Sequence, residues 1–139
     1  MKSKDRLLVF VSFFIMSFIF WRLWVFYDDG EVSFLRGITG LNIHHYHYGM
    51  VFVLIALFMF MFYKINKYSV ALAGFGFGSF FDGFVSRLVG TSMRKIEITN
   101  YNQAFSSTIL VFLIIILLSV VFYFWNEKNR KFKVPNKKS

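Results

Sequence analysis

All three histidines of the chain fall within four consecutive positions, in the run Ile43-His44-His45-Tyr46-His47-Tyr48-Gly49. One acidic residue, Asp82, lies within the mainly apolar stretch from Val70 to Leu88, which also carries Arg87. Two or three imidazoles with one carboxylate form a donor set for Zn(II) or, with positions left open, for Fe(II). His44, His45, His47 and Asp82 are therefore the candidate metal ligands. The same histidines could ligate haem or line a quinone pocket, a weaker reading. They could equally form a hydrogen-bonded His/Tyr patch that holds no cofactor.

Spacing limits which rings converge. On a helix His44 and His47, three positions apart, share a face. His45 lies about 100° round from His44, towards the face of Gly49, Val53 and Ala56. One regular helix cannot aim all three rings at one ion. Either His44 with His47, or His45 from a distorted first turn, would meet Asp82 and an acid from Asp28, Asp29 or Glu31. Asn42 is the expected N-cap, which puts the cluster in the first helical turn.

Asp82 needs a compensating partner. A carboxylate at membrane depth costs about 2.5–3.5 kcal/mol on insertion scales and turns towards the bundle interior or water. Ala71, Gly74, Gly78 and Asp82 recur at three- and four-residue spacing, so they occupy one face. Gly74-x-x-x-Gly78 is a pattern that lets two helices approach closely. Arg87 lies about 140° round the helix from Asp82 and is a poor partner within it. Arg22 or a histidine across the bundle is a better one. The glycine stripe also raises an alternative role, an accessory or structural subunit that docks a second copy or another membrane protein through Gly74 and Gly78. The Gly74-x-Gly76-x-Gly78 run is not a phosphate loop, because no Lys-Ser/Thr follows it. Ser106, Ser107 and Thr108 are expected to cap a helix or bond across the bundle. Nothing in the sequence selects a serine nucleophile.

His44-His45-x-His47-x-Gly49 followed by Gly74-x-Gly76-x(5)-Asp82-x-Phe84 resembles a group of small bacterial integral membrane proteins. In that group a His-His motif opens one helix and an Asp-Glu-Phe motif closes a glycine-rich one. The similarity spans roughly residues 40–88. It implies that the histidines act together with Asp82, and it implies no particular reaction. Gly83 stands where the pattern has Glu, which removes a second carboxylate.

The elements that must position these residues are set by composition. Of 139 residues, 57% are apolar and 17% charged, with 21 phenylalanines and no cysteine. A soluble domain carries about 25% charge. Disordered chains, disulfide scaffolds and thiolate zinc modules are excluded. The apolar residues form four blocks, near 7–27, 43–63, 68–88 and 105–125. A bilayer core about 30 Å thick needs about 20 helical residues. The blocks are apolar on all sides rather than alternating, so helices are predicted, not strands. The expected architecture is an all-α, four-span transmembrane bundle over residues 1–126, with a basic tail at 127–139.

Charge sets the orientation. Eleven Lys/Arg lie before the first block, between the second and third, and after the fourth; three lie in the two other loops. That bias places both termini in the cytoplasm and the histidines at the outer face. The net charge of +9 is thereby explained by topology. Specific nucleic-acid binding is not expected, whereas attraction of the tail to anionic lipid is. Trp21 and Trp24 fit an interfacial aromatic belt, and Arg22 is expected to snorkel outward. The predicted location is a multi-pass position in a prokaryotic cell membrane.

Overall fold

A computed structural model of the protein describes residues 1–27, 44–63, 65–89 and 104–132. Four helices make up almost all of them: α1 Ser3–Tyr27, α2 His45–Phe62, α3 Lys67–Val89 and α4 Phe105–Phe132. Each contains a segment long and apolar enough to cross a membrane. The protein is an all-α, multi-pass membrane bundle, as its blocks of apolar residues require.

Helix ends depart from the expected ones where local hydrogen bonds decide them. α2 starts at His45, with His44 rather than Asn42 in the extended N-cap position; Asn42 lies outside the described residues. The His44 backbone N–H donates to His47 Nδ1 at 3.1 Å, so a histidine ring satisfies an otherwise orphaned donor. α3 is capped by Asn66, whose Oδ1 accepts from Tyr68 N and Ser69 N at 2.9 and 3.0 Å. The Ser69 hydroxyl accepts from Asn66 N in return, at 3.2 Å. α4 runs on to Phe132, past the expected start of the tail at 127, because no proline or glycine stops it before Pro135.

α3 is the most enclosed helix and α4 the least. Glycines explain how α3 touches two neighbours at once. Gly74 and Gly78 abut the α1 backbone at Phe10 and Phe14, and a Cβ at Gly78 would stand 2.6 Å from Phe14 O. Gly76 and Gly83 face α2 instead; a Cβ at Gly76 would stand 2.9 Å from Val53 N. Gly49 of α2 reciprocates, lying against the backbone of Phe80 and Gly76. The stripe expected to dock a partner helix is thus filled by α1 of the same chain. Gly74 and Gly78 are not available to a second protein unless α1 is displaced.

Contacts fix the helix directions. Phe10, Phe14 and Arg22 meet Gly74, Gly78 and Asp82 in the same order, so α1 and α3 run parallel. α2 opposes them, with His45 near Gly83 and Val53 near Gly76. α4 opposes α1, with Phe105 near Phe18 and Phe112 near Phe14. The described ends of α1 and α3 and the starts of α2 and α4 therefore share the end of the bundle opposite Ser3 and Phe132.

The glycine contacts generate a direct test. Gly49→Ala pushes a methyl group into the Phe80 backbone, which cannot rotate away. It should destabilise the bundle by about 1–3 kcal/mol, read as a lower unfolding midpoint in detergent. Leu113→Ala on the exposed face of α4 should leave the midpoint near the wild type.

Candidate functional site, a buried Arg-Asp-His centre

Asp82 is fully buried. Its two carboxylate oxygens serve two different partners. Oδ1 accepts from Arg22 Nε at 3.0 Å and from Arg22 Nη2 at 2.8 Å. Oδ2 lies 3.2 Å from His45 Nε2. Both partners foreseen for Asp82, an arginine on the first helix and a histidine across the bundle, are present together.

Each partner is held in turn. The Arg22 guanidinium lies against the paired Phe18 and Phe105 rings, 5.3 and 5.2 Å from their centroids. Its Nη2 also reaches Thr108 Oγ1 at 3.3 Å. The Thr108 hydroxyl donates to Ala104 O at 2.8 Å, which leaves its oxygen free to accept from Arg22. The expected cross-bundle role of Thr108 is therefore seen, with its own helix as the second partner. Arg22 does not snorkel outward. A fully buried carboxylate 2.8 Å away holds it inward, and the aromatic faces replace part of its hydration.

His45 is stacked on Trp21, with ring centroids 5.1 Å apart. Trp21 itself is buried rather than interfacial. Its indole N–H donates to Ser79 Oγ at 2.7 Å. Ser79 donates to Phe75 O at 2.9 Å and is 2.8 Å from Ser17 Oγ. Ser79 has one proton, so Ser17 is the donor in that contact. This Trp21-Ser79-Ser17 chain lies beneath the charged centre and was not singled out by the sequence. A tryptophan six residues short of a membrane-helix end reads as an interface residue until a hydroxyl on a neighbouring helix is placed beside it.

Gly83 explains the missing carboxylate of the resembled pattern. A Cβ there would lie 2.8 Å from both His45 Nε2 and Tyr46 Cβ. Any side chain at 83 would displace the imidazole from Asp82. The position is given to a close approach rather than to a ligand.

Of the four candidate ligands, the structure joins His45 to Asp82. His44 and His47 are occupied differently. His47 Nδ1 binds the His44 backbone, and the two rings stack at 6.2 Å. Tyr46 completes that stack, 3.9 Å from His47 and 5.8 Å from His44. Among the described residues, no group of three or more His, Cys, Asp or Glu is placed to hold one ion. Of the two arrangements that spacing left open, His44 with His47 or His45 alone, the described residues show the second, with an arginine on the other carboxylate oxygen. The reason is the helix start at His45, which turns that ring alone onto α3. The acids proposed to supplement it, Asp28, Asp29 and Glu31, lie outside the described residues.

No family model, curated protein or solved structure matches the chain.

Two substitutions report on this geometry. Asp82→Asn removes the charge, keeps the volume and strands Arg22, at an expected cost of about 3–5 kcal/mol. The double change Arg22→Met with Asp82→Leu should recover much of that loss, measured as unfolding midpoints in one detergent. Gly83→Ala should push His45 away from its stack on Trp21. With Trp24 and Trp125 replaced by phenylalanine, the remaining Trp21 fluorescence should then change in intensity and wavelength.

Proposed function

We propose that this chain is a polytopic protein of a prokaryotic cell membrane, with both termini cytoplasmic, whose buried centre binds a small polar ligand near the outer face through His45. The orientation rests on eleven basic residues against three. The prokaryotic origin rests on the resemblance to small bacterial membrane proteins. One observation carries the functional reading: Asp82 divides its oxygens between Arg22 and His45. Neutralising a buried carboxylate needs only Arg22. The second oxygen is spent on an imidazole 3.2 Å away, which fixes the place of the His45 ring in the centre.

Metal binding requires more than the described donors. His45 Nε2 and Asp82 Oδ2, 3.2 Å apart, are close enough to share one tetrahedral ion. Arg22 holds the other oxygen, and the set stops at two. Zn(II) or Fe(II) here would need further donors from the segments outside the described residues. The accessory-subunit reading loses its docking surface, because Gly74 and Gly78 face α1.

Protein purified from membranes, wild type and His45→Ala, should be compared by elemental analysis and by mass spectrometry of released small molecules. The expected result is one species near one per chain in the wild type, lost in His45→Ala, while the variant stays folded. No difference in bound species, with His45→Ala as unstable as Asp82→Asn, would make the imidazole a structural prop and end this proposal. A metal as the retained species would restore the ion-binding reading, with His45 among its ligands.

A further inference from the structure

A second polar feature lies at the same end of the bundle and takes no part in the Arg22-Asp82-His45 centre. Arg87, in the last turn of α3, is exposed. Its guanidinium stands 5.8 Å from the centroid of the Tyr46 ring. No carboxylate among the described residues pairs with it; Asp82, the nearest acid in the α3 sequence, is held by Arg22 and His45. A cation at a membrane-helix end with an aromatic face on one side still has, among the described residues, no counter-charge. Immediately beside it on α3 the exposed residues are apolar: Leu88, and Phe84 one turn earlier, stacked on Phe80 at 5.2 Å.

We propose that Arg87, steadied by Tyr46, binds the headgroup phosphate of an anionic phospholipid whose acyl chain lies along Phe84 and Leu88. Charge complementarity selects the anion, because a planar guanidinium matches phosphate oxygens two at a time. The adjoining apolar surface selects a lipid over a free anion, because inorganic phosphate would use the arginine and leave Phe84 and Leu88 without a partner. Tyr46 contributes by fixing the guanidinium, which lowers the ordering cost of binding. The site is independent of the ligand proposed for His45 and stands or falls without it.

Native mass spectrometry in detergent, with added phosphatidylglycerol, tests the assignment. The wild type should retain one lipid that Arg87→Ala binds about tenfold more weakly, the loss expected for one charge-assisted contact. Arg87→Gln, which keeps the side-chain length, should behave like Arg87→Ala if the charge matters. Lys67→Ala, an exposed cation at the other end of the bundle, should bind as the wild type does. Millimolar inorganic phosphate should not displace the lipid. Equal retention by wild type and both Arg87 variants would overturn the proposal. So would displacement by inorganic phosphate, which would show an anion site indifferent to the chain.

Discussion

A carboxylate in a low-dielectric interior must be compensated, and the upper half of this bundle is organised around doing so. Asp82 draws on Arg22 from α1 and His45 from α2, and Arg22 carries the connection on to Thr108 of α4. α1 and α2 therefore meet at one carboxyl group of α3, and α4 is joined to it through Arg22. In lipid there is little hydrophobic drive for helices to associate, so packing and polar contacts must supply it. Here both come from α3: glycines that admit its neighbours, and an acid that gives those neighbours a fixed register.

The two requirements reinforce each other. Gly83 lets the His45 ring reach Asp82, and Gly78 lets α1 approach closely enough for Ser17 and Trp21 to reach Ser79. Larger residues at either point would separate the helices before the polar atoms met. The close approach is thus a condition for the hydrogen bonds, and the hydrogen bonds explain why approach is specific to these faces rather than merely permitted. α4 shows the opposite balance. It touches α1 through Phe112 and Phe105 and leaves most of its length exposed to lipid.

Much of the fold was legible in the sequence because membrane thickness imposes length and lipid imposes uniform apolarity. Four blocks near the right positions follow from those two facts. The face carrying Gly74, Gly78 and Asp82 was also legible, since helical periodicity alone defines it. What could not be read was the allocation of partners. Periodicity places Gly74 on a packing face without saying whether the visitor is α1 or a second protein. It places three histidines in one turn without saying that the helix begins at His45 and sends only that ring towards α3. Trp21 and Arg22 were misplaced for the same reason. Near a helix end, hydropathy favours the interface, and only a cross-helix acceptor can reverse that preference.

Chain order gives the Arg-Asp-His contact a consequence for biogenesis. Translation runs from the N-terminal side, so Arg22 and His45 are delivered to the membrane before Asp82 emerges. The acid enters an environment in which its cation and its imidazole already wait, sparing it a solitary residence among acyl chains. α4, arriving last, has only to lay Thr108 and its aromatic rings against a three-helix nucleus that is electrically complete.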